Sequence, residues 1–576
     1  MYDALIREGL VVDGTGRFRK KGDIAINQGI ISEIGNLSGA KAETIIDARG
    51  KIVCPGFIDI HSHADLAVHR QNHDEILRPL VMQGITSFVG GNCGFSTSFI
   101  PDTYRDDCIA CIEGLTAQPE SKHIDWKTPD EFMAKIKKRG LLLNMGLLAG
   151  HGSLRIAAAG PLRRLLKPEE QSLMEKYLEQ SMEMGCIGLS SGLQYFPGLS
   201  SDTAELVKLG SVLKKHDGVF TSHMRSYSHT IDNAIDEICE VGRKNDIRVE
   251  ISHLYWQPYS RGLTWAVQQL VQLGSFAYNS LKLPIPIEKG LSAKIGLIEK
   301  ARTQGVDISF DLVPTSQGFT TLSAFFPPYV VEGGIEQAVS RLKDKTFRNR
   351  VLHDIEHVEP EWPHNAEATW SFNYIKMTGW NGLRIMAVTK PENSWMEGKT
   401  FPEIGKSQDK HPFDAMCDLL IDEMGKVLVF HTPTKPDDPF TFRSMWLGFT
   451  HPLSMPVTDT ILLPFGRPSH VFYDCFPRFI EIFVKHKHLL SLEEAVKKCT
   501  SLPAEVMNIK KRGILAKGYQ ADILIFDLDR LGTQASFYNP KVFPSGIETV
   551  IINGNIVVKN GEFQKGILAG DLITSA

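Results

Sequence analysis

Eight short apolar runs, each followed by a stretch of helical periodicity, constrain the fold of this chain more than any other feature. They are Val53 to Ile60, Ile85 to Val89, Leu141 to Leu148, Cys186 to Ser190, Gly218 to Ser222, Ile247 to Ser252, Val306 to Phe310 and Met455 to Thr458. Between them lie stretches such as Ala204 to Lys215, whose apolar residues recur at helical spacing. Parallel strands need helical crossovers, so eight strand–helix units predict a (β/α)8 TIM-like barrel over residues 54–510. The gap before the eighth run, about 140 residues, exceeds what one crossover requires. It predicts an insertion or lid over 317–396, between strands 7 and 8, with helices around Gly334 to His357. The aromatic residues Trp362, Trp370, Phe372, Tyr374 and Trp380 in that stretch are expected to pack the insertion's own core.

Both ends of the chain read as β structure. Val11 to Gly16 ends a strand in a glycine turn, Asp23 to Ile31 has the pattern of a hairpin, and Ala521 to Asp527 forms a further strand. Val550 to Val558 is a hairpin with an Asn-Gly turn. Residues 1–53 and 511–576 are therefore expected to close one small β-sandwich from the two termini. Gly14-x-Gly16 is no dinucleotide fingerprint, because Arg-Phe-Arg-Lys-Lys follows where a third glycine and a helix are required.

A net charge of −4 over 576 residues gives no reason to expect nucleic acid or an anionic membrane as partner. There is no apolar run of spanning length and no signal-peptide block at the N-terminus. The nine scattered cysteines fit a reducing cytoplasm better than a disulfide framework. Cys108-x-x-Cys111 has no second pair and falls in a helical pattern, so it is expected to be structural.

In a barrel of this kind, chemistry gathers where strands end at their C-terminal side. The residues there are His61-x-His63, Cys93, Gly150-His151, Ser190-Ser191, Ser222-His223, Ser252-His253, Asp311 and Asp459. Residues two apart in a strand share a face, so His61 and His63 can grip one divalent cation. A single histidine after a strand is more often a satisfied hydrogen-bonding residue than a ligand. Four of them with a cysteine and an aspartate on one rim form a candidate metal site. His151 stays open between metal ligand, support for a ligand and contact with substrate. His229 is expected inside the next helix and is set aside.

The order of these motifs resembles the amidohydrolase superfamily, and within it the D-aminoacylase (N-acyl-D-amino-acid deacylase) branch. The likeness runs from Pro55-Gly56-Phe57-Ile58-Asp59-Ile60-His61-Ser62-His63 through Gly91-Asn92-Cys93-Gly94-Phe95-Ser96, Gly192 to Gly198, Ser222-His223-Met224-Arg225 and Ile251-Ser252-His253 to Thr500-Ser501-Leu502-Pro503-Ala504. The fourth strand ends Leu189-Ser190-Ser191, with no lysine to carbamylate, and Cys93 stands where this branch places a metal-binding thiolate. The resemblance implies a tight Zn2+ held by Cys93, His223 and His253. His61, His63 and Asp459, with Cys93 shared, would form a second and weaker site. It implies Asp459 as the base that activates water, and Tyr195, His151 and Arg225 near a small-molecule amide substrate.

The substrate half departs from the family pattern. A tyrosine-bearing segment is expected after the seventh strand, where this chain has Asp311-Leu312-Val313-Pro314-Thr315. The arginine that binds a substrate carboxylate is replaced by Val471 in Ser469-His470-Val471, and a lysine near the sixth strand by Tyr255. Arg467, Arg225, Arg155 and Lys282 are the candidate replacements for that lost fork. The expected reaction is hydrolysis of a linear C–N amide, the deacylation of an N-acyl-(D-)amino acid or a related molecule. A cyclic amide or imide hydrolase of the hydantoinase or dihydroorotase kind is the first alternative, and a non-catalytic barrel the second.

Overall fold

A computed structural model describes residues 1–118, 120, 123–363 and 370–574. Part of the expected insertion, residues 364–369, therefore lies outside the described residues. The chain begins with five strands: β1 (Tyr2–Val11), β2 (Lys20–Asn27), β3 (Ile30–Gly35), β4 (Ala42–Asp47) and β5 (Ile52–Pro55). The single apolar run read from Val53 to Ile60 is in fact two strands. β5 stays with the N-terminal sheet, and β6 (Phe57–Asp59) starts the barrel. Gly56 separates them, with its N–H on the Asp522 carbonyl at 3.0 Å, and a Cβ there would collide with Thr86.

The barrel strands follow as β7 (Ile85–Gly90), β8 (Asn144–Gly150), β9 (Gly188–Gly192), β10 (Val219–His223), β11 (Val249–Ile251) and β12 (Ile308–Leu312). Three strands of a separate sheet come next: β13 (Gly318–Thr321), β14 (Leu383–Ala387) and β15 (Leu428–His431). β16 (Ser454–Pro456) is the eighth barrel strand. The C-terminal strands are β17 (Ile523–Phe526), β18 (Ile547–Ile552), β19 (Asn555–Lys559), β20 (Glu562–Phe563) and β21 (Leu572–Ile573).

Barrel strands β6 to β12 pair in chain order and in parallel, and β16 pairs with β12. A parallel bridge between Ser62 and Thr460 brings the two edges together just beyond β16 and β6. The eightfold alternation thus yields the (β/α)8 barrel. The strands of both termini join one hydrogen-bonded network in which β17 pairs with β5. β1 is the corner of that network: its first half pairs with β4 and its end with β5. Isoleucines and valines of β1, β2, β17 and β18, among them Ile6, Ile24, Ile523 and Ile551, enclose a small core of their own. β21 leaves this network and adds to β8.

Between β12 and β16 the antiparallel order β13-β15-β14, with its helices, carries a second large core. Its buried residues run from Leu322 to Val429 and include Trp370 and Tyr374. Four of the five aromatic residues expected to fill the insertion pack its core, Trp370, Phe372, Tyr374 and Trp380, and the first three also face the cavity described below; Trp362 packs against the barrel core instead.

Helices on the barrel's outside are fixed by buried ion pairs. Glu205, in the helix Thr203–Lys215, accepts from His151 Nε2 at 2.8 Å and Arg155 Nε at 3.0 Å. Burial opposes charge on Glu205, but Arg155 and then His151 outweigh it and pull the carboxyl down to about 2. The folded value lies below the ordinary 4.5, so the contribution is present above pH 4.5. As pH falls the unfolded chain takes up the proton first, and the contribution disappears by pH 2. Each pKa unit is worth about 1.4 kcal/mol, so about 3 kcal/mol is at stake. Urea unfolding of wild type and Glu205→Gln should show a stability gap that shrinks by this order between pH 6 and pH 2. A gap independent of pH would refute the assignment.

Candidate metal centre

The C-terminal ends of the barrel strands bring six side chains together. His61 and His63 follow β6, Cys93 follows β7, His223 ends β10, His253 follows β11 and Asp459 follows β16. Their donor atoms fall into two overlapping groups: Cys93, His223 and His253, and His61, His63, Cys93 and Asp459. Cys93 Sγ lies 3.7 Å from His223 Nδ1, 3.6 Å from His253 Nε2 and 3.3 Å from His61 Nε2. His223 Nδ1 and His253 Nε2 are 3.0 Å apart. Asp459 Oδ1 is 3.4 Å from His61 Nε2 and 3.3 Å from His63 Nε2.

These spacings fit a bound zinc ion. Tetrahedral coordination at Zn–S of about 2.3 Å and Zn–N of about 2.0–2.1 Å separates sulfur from nitrogen by about 3.6 Å and nitrogen from nitrogen by about 3.3 Å. The thiolate and two imidazoles of the first group are spaced accordingly, and the donor types suit zinc.

Local structure explains how the donors are aimed. Cys93 (φ +53°), His253 (φ +38°) and Asp459 (φ +51°) all occupy the left-handed region that non-glycine residues rarely visit. Each such residue costs on the order of 1 kcal/mol and persists only where its surroundings hold it. For Cys93 the holding is visible. Asn92 Nδ2 donates to the carbonyls of Ile60 (3.2 Å) and Val89 (2.9 Å), and Gly94 N–H donates to Ser190 Oγ (2.9 Å). The Asp459 N–H donates to the His61 carbonyl at 2.8 Å, which ties the eighth strand's end to the first.

A second layer of polar atoms turns two of the imidazoles, His61 and His223. Asp311, on β12, holds His61 Nδ1 at 2.9 Å and also accepts from the His253 N–H, which leaves His61 Nε2 facing Cys93 and Asp459. Gln194 Oε1 lies 3.0 Å from His223 Nε2, so His223 Nδ1 faces the sulfur. A ring nitrogen fixed in this way sets which nitrogen can bind metal.

Electrostatics favour the thiolate. Burial pushes the Cys93 thiol up, but His61, and then His223 and His253, outweigh it and hold it well below the usual range. Burial and the neighbouring His253 pull His223 down to about 4, keeping that ring neutral and able to ligate. Burial also opposes charge on His63, while hydrogen bonds to Asp459 and Cys93 raise it to about 9.

A cavity of ≈ 160 Å³ opens beside these residues, walled by His223, His253, Asp459 and Tyr195 and roofed by Phe325, Trp370 and Tyr374 of the insertion. Tyr195 sits in it, with its hydroxyl accepting from Thr320 Oγ1 at 3.0 Å and its ring 4.6 Å from that of His223. Tyr255 and Thr315 are also on the wall, at positions where the family pattern leads one to expect lysine and tyrosine.

Other sequence candidates lie elsewhere. His151 is buried at the start of the helix His151–Ala159 against Glu205, outside the cavity lining and outside both donor groups. Arg225 is fully buried and off the cavity lining. Its guanidinium is held by Glu237 at 2.8 Å, the Leu199 carbonyl and Ser201 Oγ. His229 is not in a helix as expected; it lies in the turn before Ile231–Asn245, against Tyr259.

His431, at the end of β15, escaped the sequence reading. It lines the cavity and packs against Tyr374 at 4.8 Å, and burial, with His223 and His253 nearby, pulls it down to about 3. Its signal was present, an apolar run Val427 to Phe430 ending in histidine, but no crossover helix marks that run as a barrel strand.

Comparison with known proteins places this geometry. Residues 467–558 match the profile of the Amidohydrolase family. Over 559 residues, the chain is 28% identical to an N-acyl-D-glutamate deacylase of Alcaligenes xylosoxydans xylosoxydans, covering 96% of this chain and 93% of that protein. It is 26% identical to a D-aminoacylase of the same organism, covering 96% and 94%. Among solved structures, an N-acyl-D-glutamate deacylase of Bordetella bronchiseptica, complexed with zinc and a phosphonate inhibitor, superposes with a TM-score of 0.73. It is 24% identical over 100% of this chain and 99% of that one, and the likeness carries the fold.

Proposed function

We propose that this chain, which belongs to the amidohydrolase superfamily on its D-aminoacylase branch, is a zinc-dependent hydrolase of a linear C–N amide that deacylates an N-acyl-(D-)amino acid or related small molecule. The observation that carries the proposal is the convergence of Cys93, His223 and His253, with the Asp459 carboxylate beside them on the wall of one cavity. In this reading Cys93, His223 and His253 hold the tight zinc, and His61, His63 and Asp459, sharing Cys93, a weaker second ion. The relatives are named for N-acyl-D-glutamate deacylation and D-aminoacylase activity, which supports the substrate class.

When bound, zinc supplies Lewis-acid polarisation of the amide carbonyl and acidifies a water. The chain's own residues do the rest. Asp459 takes the proton of the attacking water and delivers it to the amide nitrogen as the C–N bond breaks, so that a carboxylic acid and an amine leave. Tyr195, whose hydroxyl already accepts from Thr320, keeps its own proton because burial raises its pKa well above 10, and can donate it to the carbonyl oxygen. The aromatic roof of Trp370 and Tyr374 keeps bulk water from the reacting groups.

Free thiols support cytoplasmic residence: all nine cysteines are unpaired, and eight are buried. Among the described residues no helix is long and apolar enough to cross a membrane. Zinc-loaded protein incubated with N-acetyl-D- and N-acetyl-L-amino acids and neutral linear amides is expected to release acetate, with D preferred over L. Opening of hydantoin or dihydropyrimidine rings without release from any linear amide would overturn the proposal.

A further inference from the structure

Among the described residues, the cavity beside the metal centre has no cationic wall. No lysine and no arginine is among the described residues that line it. Each cation that could replace a missing carboxylate clamp is engaged elsewhere. Arg155 is held by Glu205 and the carbonyls of Leu162, Pro197 and Arg164. Arg225 is held by Glu237, Leu199 and Ser201. Arg467 donates to the Phe537 carbonyl and stacks on its ring at 5.3 Å. Lys282 is exposed at a helix end, on the Asn279 carbonyl.

Neutral donors stand in their place. Gln194 Nε2 is buried without a hydrogen-bond partner, while its Oε1 serves His223. The Tyr374 hydroxyl is also buried, beside Thr378. Both side chains line the cavity, whose lining also includes the apolar Leu291, Phe325, Trp370 and Phe440. The position that the family gives to an arginine holds Val471, fully buried in the core. A carboxylate brought into this space loses its water and meets no lysine or arginine, which is costly. A carbonyl, ester or carboxamide loses far less and satisfies the orphaned N–H of Gln194.

We propose that the group beside the scissile amide is uncharged, so that the substrate is an N-acylated amine or an N-acylated amino-acid amide or ester, with an apolar side chain, rather than a free N-acyl amino acid. The inference rests on the amide-hydrolase reading above and narrows its substrate. Gln194 and Tyr374 then act as specificity residues, donating to the neutral polar group while the aromatic roof covers the side chain.

The test uses N-acetyl-D-phenylalanine, its carboxamide and N-acetylphenethylamine. Acetate release by the zinc-loaded protein is expected to give kcat/KM at least tenfold higher for the two neutral compounds. Binding of the same three to Asp459→Asn protein, followed by calorimetry, should give the same order. That substitution removes a negative charge and so biases against the expected result. Equal or better use of the free acid would overturn this inference and leave the amidase reading intact. No acetate from any linear amide would overturn the amidase reading. The calorimetric order would then still decide: tighter binding of the neutral compounds supports an uncharged ligand, and tighter or equal binding of the acid, or binding of none, rejects it.

Discussion

Asp459→Asn protein is expected to keep its zinc and lose turnover, with kcat lower by about 10²–10⁴-fold, the range typical for a positioned proton carrier. Two jobs fall to different residues. Zinc retention depends on Cys93, His223 and His253, none of which is changed. Proton transfer depends on a carboxylate that stands against His61 and His63 at the edge of the cavity. Asparagine preserves the shape and can preserve the backbone bond to the His61 carbonyl, but it cannot accept the proton of water. Zinc content equal to wild type alongside the reduced kcat is the signature of this role, which a merely structural role for Asp459 would not produce. Near-normal turnover in Asp459→Asn would remove the base from the mechanism.

Cys93→Ala is expected to lose most of the bound zinc, and activity should fall in parallel to below about one hundredth of wild type. Outer residues that only orient a ligand typically change metal affinity by about 10–100-fold, and removing the thiolate itself removes charge as well as a bond. Cys93→Ser should retain more metal than alanine because its oxygen still points into the same space. Folding is expected to survive. The residue is in a loop pinned by Asn92 and Gly94, and those hydrogen bonds do not use the thiol. Full zinc content in Cys93→Ala would place the tight ion elsewhere, among His61, His63 and Asp459.

The sequence made the barrel and its rim legible for a physical reason. A buried parallel strand is an apolar run, and the first polar residue after it falls at the C-terminal rim, so strand ends could be read without knowing the packing. His61, His63, Cys93, His223, His253 and Asp459 were found this way and lie together in space. Side chains whose fate depends on distant partners were not legible. Arg225 and Arg155 look like free cations in sequence, yet Glu237 and Glu205 bury them, and nothing local announces that pairing. His151 was left open for the same reason, and its partner Glu205 lies on another helix. The division of the run at Gly56 was missed because both halves are equally apolar, and only the close approach of Thr86 shows why a glycine must stand there. Gln194 and Asp311 were visible as residues but not as the groups that turn His223 and His61. His431 belongs to the inserted sheet, where the barrel's rhythm gives no guide.

The proposed chemistry depends on the ligands of one metal ion. X-ray absorption at the zinc edge, on protein loaded with one equivalent of zinc, tests it most directly. One sulfur at about 2.3 Å with two imidazole nitrogens at about 2.0–2.1 Å is the expected shell, with the sulfur absent from Cys93→Ser protein. A zinc shell of nitrogen and oxygen alone in the wild type would contradict it.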